Sequence, residues 1–64
     1  MHMTETLIAT TARSIMFTDG KGNMRRYPAG TEVYAHARRD GLLDIRVPRT
    51  LWTQTATYTS VVVP

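Results

Sequence analysis

The chain has no cysteine, a single lysine, one tryptophan, one phenylalanine and three prolines among its 64 residues. Without cysteine there is neither a disulfide framework nor a thiolate metal site, so the usual supports of a secreted miniature domain are missing and a cytoplasmic setting is expected. Long apolar runs are also lacking. The longest, residues 15–17 and 61–63, are too short for a signal-peptide core or a membrane span, and a soluble chain with no membrane contact is expected. No repeat, linker or low-complexity stretch divides the chain, and at this length every feature belongs to one fold. Met1-His2-Met3 reads as a cloning remnant or flexible extension ahead of a natural start at Met3, which leaves residues 4–64 as the domain.

So short a chain buries little apolar surface for each residue it orders. Good turns, closure of a sheet or a second subunit have to make up the difference. Eleven threonines and three consecutive valines near the end favour strands. Helical periodicity is hard to find. In residues 4–17, Leu7, Ile8, Ala12, Ile15 and Met16 fall near helical spacing, but β-branched residues crowd the same window. One long strand is expected there, with a short helix as the alternative.

Turn chemistry divides the remainder. Asp19-Gly20-Lys21-Gly22-Asn23 gathers residues that tolerate positive φ, which predicts a hairpin loop between strands at 15–18 and 24–27. Pro28-Ala29-Gly30 leads into a strand at 31–37, where Val33 and Ala35 alternate with Glu32, Tyr34 and His36. Arg38-Arg39-Asp40-Gly41 suits a type I turn with glycine at the bulge, followed by a strand at 42–47. In that strand Leu43, Ile45 and Val47 point one way and Leu42, Asp44 and Arg46 the other. Pro48 ends it. Residues 49–53 and 56–63 supply one or two last strands. The fold class expected is all-β: a small five- to six-stranded barrel or a tightly curled antiparallel meander.

Tyr27-Pro28-Ala29-Gly30-Thr31-Glu32-Val33-Tyr34-Ala35 followed by Arg39-Asp40-Gly41-Leu42-Leu43-Asp44-Ile45-Arg46-Val47 resembles the middle of bacterial SH3-like barrels. In those, a Pro-x-Gly-Thr-x-Val strand leads through a short polar turn to a Gly-x-x-x-Ile-x-Val strand. The likeness covers residues 27–47. The aromatic motif of eukaryotic SH3 domains is absent, with Leu42 and Leu43 after the second turn and Trp52 further on, so polyproline binding is not implied.

No constellation of residues suggests catalysis. Nucleophilic chemistry needs a hydroxyl or thiol beside an oriented base, and Ser14, Ser60 and His36 are the main material for it. His36 shares a strand face with Tyr34 and reads as a partly exposed structural histidine. Asp19 and Asp40 are turn residues, and Asp44 beside Arg46 reads as a solvated strand pair. No histidine–carboxylate cluster has metal-ligand spacing, and Gly20-Lys21-Gly22 lacks the rest of a phosphate loop. No catalytic residue, metal or cofactor is expected.

The surface remains. A net charge of +3 comes from eight basic residues, seven of them arginine, against five acidic ones. Arginine suits planar contacts to phosphate, carboxylate and aromatic faces, although codon bias in a GC-rich genome explains the excess equally well. Arg25-Arg26-Tyr27, Arg38-Arg39 and Arg46 with Arg49 form three basic groups near Tyr34, with Trp52 and Tyr58 available for stacking. Trp52, beside Leu51, fits core filling better than a ligand platform. Threonines at 53, 55, 57 and 59 define one hydroxylated, solvent-facing side, and an uncovered strand at 61–63 would invite a second copy or a target.

The function expected is therefore a non-enzymatic binding module, of the kind a phage or other mobile element encodes to modulate a larger host protein or assembly. A nucleic-acid-binding barrel using an arginine and aromatic face is the alternative, with a structural subunit of an assembly as a third.

Overall fold

A computed structural model describes residues 6–64. They form one antiparallel sheet of seven strands: β1 (Thr6–Thr11), β2 (Ile15–Thr18), β3 (Met24–Tyr27), β4 (Glu32–Ala37), β5 (Leu43–Arg46), β6 (Thr53–Ala56) and β7 (Val61–Val62). A 3-10 turn at Tyr58–Ser60 precedes β7. The order across the sheet is β3-β2-β6-β5-β4-β1-β7, and it curls into a half-barrel. No helix among the described residues is long and apolar enough to cross a membrane.

The all-β class is as the composition implies, but the strand count and the manner of closure are not. Seven strands replace the expected five or six, for two local reasons. The segment taken as one strand over 4–17 breaks at residues 12–14 within its described part; residues 4 and 5 lie outside the described residues. There the chain leaves β4 after the Thr11 amide bonds to the Thr31 carbonyl (2.9 Å), and the Ala12 amide extends the β1–β7 pairing by one step to the Ser60 carbonyl (2.8 Å). The last apolar stretch is cut in turn by the 3-10 turn, which Ser60 N–H closes onto the Thr57 carbonyl at 3.0 Å. In place of the strand expected from residue 49, residues 48–50 form a turn, and β6 starts only at Thr53. Nor is the sheet a simple meander. β2 pairs with β6, and β1 lies between β4 and β7, so three of the six neighbouring pairs join strands far apart in sequence.

The turns themselves follow their chemistry. The Asp19 amide bonds to the Asn23 carbonyl and Gly22 N–H to the Asp19 carbonyl, with Gly22 at φ 85°. Arg38-Arg39-Asp40-Gly41 repeats this geometry with Gly41 at φ 84°. Both glycines stand at a left-handed position that a side chain would strain.

Strand alternation then builds the core. Ala9, Phe17, Val33, Ala35, Leu43, Ile45, Val47, Ala56 and Val61 are buried, with Ile15, Tyr27 and Trp52 packed against them. Phe17 is the largest fully buried side chain, and Tyr27 meets it edge to face at 5.4 Å. Thr11 is the one buried polar residue among those described. Its hydroxyl donates to the Pro28 carbonyl (3.1 Å) and accepts from Thr31 N–H (3.2 Å), and so anchors the β3–β4 connection to β1.

Candidate protein-interaction surface

Side chains that alternate away from the core form the outer face. Register puts Ile8, Tyr34, Arg46, Thr53, Thr18 and Met24 in one row across β1, β4, β5, β6, β2 and β3. A second row runs Thr6, His36, Asp44 and Thr55. Between the rows lies a shallow groove of about 470 Å³, lined mainly by hydroxyls and by His36, Asp44 and Arg46. His36 Nε2 shares a hydrogen bond with Thr6 Oγ1 at 3.0 Å. The Ser14 hydroxyl accepts from Arg26 (3.2 Å), and Ser60 is paired with Thr57. Among the described residues no group of three or more His, Asp or Glu side chains could hold a metal ion.

Sheet geometry does not gather the three arginine groups on one face. On β3, Arg25 and Tyr27 stand opposite Phe17 and Ile15, on the core side, whereas Arg26 stands opposite Met16 on the outer side. The Arg25 guanidinium lies 5.3 Å from the centre of the Tyr27 ring. Arg38 is engaged in the β4–β5 turn. It contacts Asp44 at 2.9 Å and Asp40 at 3.1 Å, and it donates to Thr55 Oγ1 at 3.3 Å. The Arg38 guanidinium and then the Leu42 amide hold the Asp40 carboxyl below its ordinary range, and the two carboxylates raise Arg38 further above its own. Asp44 thus pairs with Arg38 and not, as the sequence suggests, with Arg46, which stacks 5.3 Å over its cross-strand partner Tyr34. Arg39 is exposed in the same turn, and Tyr58 is exposed on the 3-10 turn, outside the row that holds Arg46.

Arg46 also belongs to the hydrogen-bonded loop between β5 and β6. Between β5 and β6, Thr50 N–H bonds to the Val47 carbonyl (3.2 Å), with Pro48 and Arg49 at the two central positions. Arg49 has φ 66°, the only non-glycine residue at positive φ among those described. A type II turn requires this at its third position, where glycine is the usual occupant. Four further bonds fix the loop: the Thr50 hydroxyl to the Val47 carbonyl, Trp52 N–H to the Thr50 hydroxyl, Val47 N–H to the Trp52 carbonyl, and Arg46 Nη1 to the Thr50 carbonyl. Trp52 packs inward as expected, whereas Leu51 beside it is 78% exposed.

Leu51 and Arg49 thus sit together on a rigid turn, and Leu51 was not among the residues singled out from sequence. The signal was present in Val47-Pro48-Arg49-Thr50, where a proline directly after a strand favours a turn and so leaves the next apolar residue without an inward place. No protein-family model, curated protein or solved structure matches the chain.

Proposed function

We propose that the chain is a non-enzymatic binding module that meets a larger protein through its surface, of the kind a phage or other mobile element encodes to modulate a host assembly. The β5–β6 turn carries this reading. It presents the most exposed large apolar side chain of the described residues, Leu51, beside the exposed Arg49, on backbone held by five hydrogen bonds. A loop already ordered loses little conformational freedom on docking, and an apolar knob flanked by arginine and half-buried tryptophan has the make-up of an interface hot spot. A nucleic-acid surface draws less support, since the arginines are divided between two faces and Arg38 is neutralised by two carboxylates.

The SH3-like resemblance belongs to the same proposal. Its support is that the two segments bearing it form β4 and β5, neighbouring antiparallel strands in the middle of a curled sheet. A homodimer through the C-terminal strand is proposed on narrower ground: β7 is an end strand paired only with β1, and Val62 and Val63 are exposed. Light scattering at two concentrations checks it, and a monomer mass at both rejects it.

The main test is affinity capture from a nuclease-treated bacterial lysate, with the full chain and its Leu51→Ala variant as matched baits. A protein retained by the full chain and depleted about tenfold on the variant is expected, the effect of losing a contact of hot-spot size. Recovery of no protein under any salt condition, or equal recovery on both baits, overturns the reading.

A further inference from the structure

β3 forms one end of the sheet and pairs only with β2. In an antiparallel ladder, directly opposed residues alternate between pairs that exchange hydrogen bonds and pairs that do not. The Asp19 amide bonds to the Asn23 carbonyl, which sets the phase: Phe17 with Arg25 and Ile15 with Tyr27 are bonded pairs, and Thr18 with Met24 and Met16 with Arg26 are not. The N–H and C=O groups of Met24 and Arg26 therefore point outward from the free edge. Among the described residues no turn, loop or side-chain hydrogen bond reaches them. Pro28 follows directly and limits the open edge to the length of β3.

The charge around this edge is mainly positive. Arg25 flanks it on one face and Arg26 on the other, both exposed, and neither belongs to an ion pair among the described residues. Arg26 bonds to Ser14, which brings Arg13 next in sequence to the same end of the sheet, and Lys21 stands in the β2–β3 turn. The nearest carboxylate in sequence, Asp19, is held within the turn by the Asn23 side chain and by the amides of Lys21 and Asn23. A second copy of β3 is a poor occupant, because a symmetric pairing sets like charges against each other. A nucleic-acid strand would meet the guanidinium groups but has no N–H and C=O ladder to match those of Met24 and Arg26.

From this placement we infer that the β3 edge is a site for strand addition by an extended acidic segment of a partner protein. The segment's backbone pairs with Met24 and Arg26, and its carboxylates meet Arg25 and Arg26. The inference rests on the reading of the chain as a protein-binding module but not on the β5–β6 turn.

The test titrates the isotope-labelled full chain with a blocked hexapeptide, Val-Glu-Glu-Val-Glu-Glu, whose adjacent glutamates fall on opposite faces of an added strand. Amide shifts centred on residues 24–27 are expected, with slowed hydrogen exchange at Met24 and Arg26. Two variants separate backbone from charge. Met24→Pro removes one outward N–H at a position that makes no ladder bond and keeps every charge; it binds about tenfold more weakly. Arg25→Glu with Arg26→Glu loses the acidic peptide and gains its lysine–valine counterpart. Leu51→Ala leaves peptide binding unchanged, so a bait that loses its lysate partner through Leu51 while the peptide shifts nothing sinks only the edge site. Equal binding by Met24→Pro, no shift at millimolar peptide, or stronger perturbation of the same amides by an oligothymidine overturns the inference.

Discussion

Arg49 shows how one residue is set against its own backbone preference. An L side chain in the left-handed region costs about 1–2 kcal/mol, and glycine does not incur that cost. The turn over-determines the conformation with bonds from Thr50, Trp52 and Arg46, so the strain is held and not released. Arg49→Gly is therefore expected to stabilise the fold by about 1 kcal/mol, a rise of roughly 4–8 °C in melting temperature for a domain of this size. Calorimetry checks it, with Arg49→Ala as the comparison that keeps the strain; a lower melting temperature for the glycine variant contradicts this account. If the turn is a docking loop, the stabilised variant also binds less well.

Among the elements, the two tight hairpin turns rely on carboxylates. The Asn23 side chain, with the amides of Lys21 and Asn23, keeps Asp19 below its ordinary range, as Arg38 and then the Leu42 amide do for Asp40. A carboxyl lowered in the folded state contributes stability that is complete above its unfolded value and fades as pH falls through the folded one. The urea midpoint should thus be flat from neutrality to about pH 5 and decline at more acid pH. Asp40→Asn should flatten that decline, and a midpoint that rises on acidification would refute the assignment.

These same turns were the most legible part of the sequence. Asp19 to Asn23 and Arg38 to Gly41 announce their geometry because positive φ has few tolerant residues, and the alternation of Leu43, Ile45 and Val47 shows the buried side directly. Breaks without such residues are silent. Ala12-Arg13-Ser14 has neither glycine nor proline, and its bend follows from where β7 and the Thr31 region lie in space. For the surface, sequence named the arginines but not their faces, because Arg25 and Arg26 are separated by the one-residue alternation of a strand whose register was unknown. Likewise, Arg38 is claimed by Asp44 through a turn that brings residues six apart into contact.

At the level of the whole molecule, β1 ties the two ends of the chain together. It bonds β4 on one side and β7, from the other end of the chain, on the other, and β2 finds β6 across 35 residues. Little can form from local contacts alone beyond the β2–β3 and β4–β5–β6 hairpins. Loop closure must precede most of the stabilising burial, so refolding monitored by far-ultraviolet circular dichroism should take milliseconds to seconds. Microsecond refolding would mean that the long-range pairings do not govern the barrier.

Trp52 lends this molecule a built-in optical reporter. The indole leans on the core, and the Trp52 amide donates to the Thr50 hydroxyl in the turn that leads to Leu51. Unfolding should move its emission to longer wavelength, while a partner seated over the turn should move it to shorter wavelength by excluding water. Because no other tryptophan contributes, the direction of the shift alone would separate loss of structure from capture of a target.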